Sequence, residues 1–137
     1  MAWICPNCGR RFGRTGQSHE CSPALGLDEY FATADERERP IFDRVHAHLT
    51  SLGEVHVEPV AVGIFIKRDR SFVELRPMTR WVALSWPLAR RLDSARIARK
   101  PVRSGAHWYH VVNLRDRTEI DHELLDWLTE GWHSVPA

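Results

Sequence analysis

Three β-branched and aromatic runs stand almost end to end in the middle of this chain: VAVGIFIK at 60–67, SFVELRP at 71–77 and RWVALSW at 80–86. Only RDR and MT separate them. Runs of this composition predict strands. Gaps this short suit hairpins, whereas a parallel crossover needs a dozen or more residues. The middle of the chain is therefore expected to be an antiparallel sheet, and AHWYHVVNL at 106–114 reads as a further strand.

The flanking segments predict helices. DERERPIFDRVHAHLTSLGEV places Ile41, Val45, Leu49 and Leu52 at helical spacing, with Phe42 widening the stripe. Pro40 suits a first turn and Gly53 the position just past a last one. His46 and His48 are two apart, point to different sides of such a helix, and read as a solvated face. DRTEIDHELLDWLTEGW repeats the pattern: Asp116 with Glu119 makes a capping-box-like start, and Ile120, Leu124 and Trp127 or Leu128 follow as a core stripe. Between the last two strands, PLARRLDSARIARK reads as a short helix or a turn-rich crossover. Helices laid on one face of an antiparallel sheet give an α+β fold. The opposite face is the natural place for a ligand or partner.

All three cysteines fall within the first twenty-one residues, as Cys5-x2-Cys8 and then His19-x-Cys21. Three sulfurs and one imidazole nitrogen are a tetrahedral zinc set. Pro6 and Gly9 favour the tight turn that aims two sulfurs at one point. The pair His19 and Cys21, one residue apart in an extended segment, shares a face. Arg10, Arg11 and Arg14 would offset the negative charge of three thiolates around one zinc ion. Four protein ligands close the shell, so the expected role of the metal is structural. A redox pair would normally open a helix after a strand, and iron–sulfur ligation normally uses four cysteines. The expected organisation is a zinc knuckle at 1–22, a connector at 23–35 carrying Leu25, Leu27, Tyr30 and Phe31, and an α+β domain at 36–137.

Composition narrows the function classes. Hydrophobic residues make up 43% and charged residues 27%, which suits a packed core, and the net charge of +1 excludes a global basic field. No run approaches the apolar length a membrane helix needs, and MAWICPNC lacks the charged start and apolar block of a signal peptide. The chain reads as cytoplasmic. No Gly-rich phosphate loop, G-x-S-x-G or H-E-x-x-H is legible, so an enzymatic role is left open. Two surfaces are candidates. Arg10, Arg11 and Arg14 together with Arg90, Arg91 and Arg96 could meet a nucleic-acid backbone, although solvated arginines balancing acidic helices explain them equally. Phe65, Lys67, Phe72, Arg76 and His110 could form a small-molecule site on the open sheet face. A protein partner is the third reading.

WICPNCGRRFGRTGQSHEC, with Trp3, Cys5, Pro6, Cys8, Gly9, Arg10, Phe12, Gln17, His19 and Cys21 on its pattern, resembles the N-terminal knuckle of the domain of unknown function 5655 family. IFDRVHAHLTSLGEVHVEP, LARRLDSARI and HWYHVVNLRDRTEIDHELLDWLTEGW resemble the first helix and strand, the arginine run and the histidine strand with closing helix of that family. Tyr109-His110 stands where the family often has two histidines. The resemblance implies the α+β fold and the zinc site. The resemblance, through relatives beside restriction-type and transport proteins, implies a nucleic-acid or defence context, but no activity.

Overall fold

The central sheet is six-stranded and antiparallel throughout in the computed structural model, which describes residues 2–6, 8–18 and 26–136. A small hairpin precedes it, made of β1 (Trp3–Ile4) and β2 (Arg11–Phe12). Then come α1 (Leu27–Phe31), α2 (Glu38–Leu52), β3 (His56–Val60), β4 (Gly63–Lys67), β5 (Ser71–Pro77) and β6 (Val82–Leu88). The chain closes with β7 (Val102–Ser104), β8 (His107–Leu114), a 3-10 turn (Arg117–Glu119) and α3 (His122–Ser134). The strand order is β3-β4-β5-β6-β8-β7. The class is the expected α+β.

Where elements differ from the sequence reading, local chemistry explains it. The run at 60–67 is not one strand: Val60 pairs with Gly63 across a two-residue turn at Ala61 and Val62. Neither turn residue has positive φ, and Val62 is 56% exposed rather than in the core. An apolar turn without the usual Asn-Gly signal hides the boundary inside a continuous β-branched run. β6 runs on through Pro87 to Leu88. Pro87 is tolerated because the β5–β6 ladder ends at Glu74 and Ser85, leaving the missing N–H on an unpaired side. Asp116 caps the 3-10 turn by accepting from Thr118 N, while Glu119 accepts from Arg115 N. α3 itself starts later, with Asp121 accepting from Leu124 N at 3.1 Å.

Register divides the sheet into two faces. Ile64, Leu75, Leu84 and Val112 form one cross-strand row, flanked by Ile66 with Val73 and by Trp86 with His110. All are buried, and they share one core with Ile41, Phe42, Val45 and Leu49 of α2 and Leu124, Trp127, Leu128 and Trp132 of α3. Leu27, Tyr30 and Phe31 pack against the same core. α3 approaches β6 so closely that a Cβ on Gly131 would lie 2.4 Å from the Pro87 carbonyl oxygen. The opposite face presents the row Phe65, Glu74, Ser85 and Val111, with Arg76, Ala83 and Asn113 beside it. The helices cover only the first face.

His110 is fully buried on the helix side and accepts from Leu92 N at 2.9 Å through Nε2. Its ring lies 5.5 Å from that of Trp86. Burial pushes its pKa below the ordinary 6.5; the Trp108 carbonyl and Glu130 oppose this, while Arg90 and Arg91 reinforce it. The unfolded chain therefore binds a proton near pH 6.5 that the folded chain refuses. Stability contributed by this site is complete above that pH and declines as pH falls below it. Urea denaturation between pH 8 and pH 5 should show that decline, and His110→Gln, which keeps an acceptor for Leu92 N, should flatten it. An unchanged slope in the variant would assign the effect to other histidines.

Candidate functional site

The N-terminal hairpin is seated on the helix-free face. Its seat is an ion pair: Glu58 on β3 and Lys67 on β4 lie 2.9 Å apart, with exposures of only 2% and 8%. Two backbone groups of the hairpin complete it. Arg11 N donates to Glu58 Oε2 at 2.7 Å, and Lys67 Nζ donates to Arg11 O at 3.1 Å. The same ammonium sits 4.5 Å from the Phe12 ring centroid, and His56 Nε2 lies 3.4 Å from Glu58 Oε2. Each buried charge thus meets an opposite charge and a backbone partner, which is what a desolvated pair requires. The Arg11 side chain reaches outward to Glu54 at 3.2 Å and Asp69 at 3.7 Å.

Within the hairpin, Gly9 has φ +75° and closes the turn by donating to Cys5 O at 2.8 Å, while Cys5 N donates to Arg10 O at 2.9 Å. Cys5 and Cys8 are both buried in a small cluster with Phe12 and Trp3. Two buried thiols on one tight turn fit one half of a thiolate zinc set. His19 and Cys21, the other two expected ligands, lie outside the described residues. Among the described residues no three His, Cys, Asp or Glu side chains come together to hold a metal ion.

Seating the hairpin here creates a cleft of about 580 Å³ between it and the sheet, lined by Phe12, Arg14, Gln17, Arg70, Ser71 and Tyr109 among others. Arg14 and Arg70 are exposed. The Arg70 side chain passes so close to the hairpin that its Cγ lies 3.3 Å from where a Gly13 Cβ would be. Asp69 is the acidic residue on the cleft wall, and Arg11 already engages it.

The five residues suggested as a small-molecule site divide between the two faces. Phe65, Lys67 and Arg76 are on the helix-free side, Lys67 beneath the hairpin and Arg76 exposed. Phe72 lies edge-on to Trp132 of α3 at 5.8 Å, and His110 is in the core, so both are on the helix side. A break in register between Ile66 and Lys67 is what turns Phe72 inward.

The suggested nucleic-acid arginines also divide. Arg90 forms a two-pronged pair with Glu130 at 2.8 and 2.9 Å. Arg96 bridges Asp121 at 2.8 Å, Glu123 at 3.0 Å and the Glu119 carbonyl at 2.9 Å. Their guanidiniums bind the crossover to α3. Arg14 and Arg91 are exposed, whereas Arg10 and Arg11 are half-buried in the hairpin. Glu58 and Arg70 carry much of this region, yet neither stood out in the sequence, and Tyr109 stood out only beside His110. The only available signal was an acid at an outward position of β3 with a lysine on the strand beside it.

Removing the Glu58 carboxylate would strand a buried ammonium. Glu58→Ala should therefore lower stability by about 3 kcal/mol and speed hydrogen exchange at the Arg11 amide. Exchange as slow as in the unaltered chain would mean that Glu58 does not hold the hairpin.

No helix of the described residues is long and apolar enough to cross a membrane. No curated protein and no solved structure matches the chain. One family model matches, the domain of unknown function (DUF5655), over residues 27–135. That span takes in α1, the whole six-stranded sheet and α3, so the chain belongs to the DUF5655 family.

Proposed function

We propose that this chain is a zinc-stabilised binding module that takes a nucleic acid in the cleft between hairpin and sheet. The observation that carries this reading is the cleft itself. It brings Arg14 of the hairpin and Arg70 of the β4–β5 connection to one depression that the half-buried Tyr109 also lines. Guanidiniums meet phosphate oxygens with a matching fork, and aromatic faces stack on bases of any sequence. Gln17 and Ser71 add hydrogen-bonding groups to the same walls.

Zinc has an architectural part in this proposal. Cys5, Cys8, His19 and Cys21 would hold the ion and fix a segment too short to bury a core of its own. The metal would thereby set one wall of the cleft, with its thiolates committed to structure. A small-molecule site is the weaker reading, because Phe72 and His110 face away from Phe65 and Arg76.

Native mass spectrometry of the purified chain should find one zinc ion, absent from Cys8→Ser. A Cys5–Cys8 disulfide without metal would overturn the zinc site. A labelled single-stranded oligonucleotide should bind with an affinity that falls steeply between 50 and 200 mM salt, and the double change Arg14→Glu, Arg70→Glu should weaken it about tenfold or more. Binding indifferent to salt and to that change would remove the cleft as the interface.

A further inference from the structure

The crossover from β6 to β7, residues 89–101, is irregular in backbone yet held at four points. Arg90 clasps Glu130, and Arg96 clasps Asp121 and Glu123. Leu92 N donates to His110 Nε2 in the core, and Ala98 N donates to Val111 O on the β8 edge at 2.7 Å. The loop therefore presents its remaining side chains from a fixed scaffold.

Those side chains are not distributed evenly. Two arginines of the loop are neutralised by carboxylates of α3. The other three cations, Arg91, Arg99 and Lys100, are exposed, have no ion pair among the described residues, and line a single cavity of about 460 Å³. Asp93 is its one acidic lining residue, and Ser94 adds a hydroxyl. The Ser94 oxygen accepts from Arg96 N at 3.2 Å, which leaves its O–H able to donate. Arg91 also lies 6.0 Å from the half-buried ring of Trp108, with Arg103 at 5.9 Å from the same ring. Three like charges lining one concavity, with a single carboxylate among them, favour an anion there.

We infer that this crossover cavity is a binding site for a phosphoryl group. Two guanidiniums supply planar forks that match phosphate oxygens, the lysine supplies a mobile point charge, and Ser94 supplies a directional donor. The cavity, about 460 Å³, has room for a phosphoryl group together with the molecule that carries it. The site is independent of the hairpin cleft: it shares none of its residues and needs no zinc.

Inorganic pyrophosphate and a single-stranded oligonucleotide are each titrated into the full chain and followed by amide chemical shifts. Shifts concentrated at residues 91–101, with affinity reduced at least tenfold by Arg99→Glu with Lys100→Glu, are expected. Thermal unfolding of that variant checks that it folds. If the oligonucleotide binds these amides at least tenfold more tightly than pyrophosphate, the phosphoryl group belongs to a polynucleotide backbone. Comparable or weaker binding assigns it to a small phosphorylated molecule. Absence of shifts at 91–101 with both probes, or equal affinity in the folded double variant, overturns the site. The variant Arg14→Glu, Arg70→Glu should leave these shifts intact, so failure of the cleft and failure of the crossover site are read separately.

Discussion

A carboxylate and an ammonium, buried together under a two-stranded hairpin, decide how the N-terminal segment relates to the rest of the molecule. Glu58 and Lys67 face away from the main core, on the side of the sheet that no helix covers. Left open, that position would hold an ordinary surface pair of little energetic consequence. Once the hairpin covers it, both charges lose water and depend on Arg11 N, Arg11 O and the Phe12 ring for replacement. The pair then fixes position more than it adds stability, because breaking it is far more costly than making it is favourable. The hairpin's placement follows from that constraint, and with it the wall of the cleft that carries Arg14.

The other side of the sheet works by packing. α3 lies against β6 through Gly131, where any side chain would strike the Pro87 carbonyl. That close approach lets Trp127 stack on Trp86 at 5.9 Å and Trp132 meet Phe72. The crossover is then tied to the outer surface of α3 by Arg90 and Arg96. These two arginines belong to the architecture of the loop, and their neighbours Arg91, Arg99 and Lys100 are left facing solvent. In sequence the five are indistinguishable members of one basic run. Only the carboxylates of α3 and its cap, some 25 to 40 positions away in the chain, separate them.

Much of the fold was legible because it rests on local signals. Helical spacing from Ile41 to Leu49 and the strand-like run SFVELRP each mark an element whose span forms as read. Boundaries failed where the signal was missing or ambiguous. Ala61 and Val62 turn without a turn residue, Pro87 sits in a strand, and Asp116 and Asp121 both offer a cap. The candidate sites were less legible. Simple alternation put Phe72 beside Glu74 and Arg76, but a register break turned it toward Trp132.

The sequence by itself determined that the chain makes an antiparallel sheet with helices on one side, and that its thiols gather at the start. Periodicity and short connections are local, so they survive without knowledge of the neighbours. The tertiary structure decided which charges are buried, which are paired and which face open space. Glu58 and Lys67 become a seat for the hairpin, Arg90 and Arg96 become ties, and Arg14, Arg70, Arg91, Arg99 and Lys100 remain exposed. The reason is that a charge takes its role from the dielectric and the partners around it, and those come from segments distant in the chain.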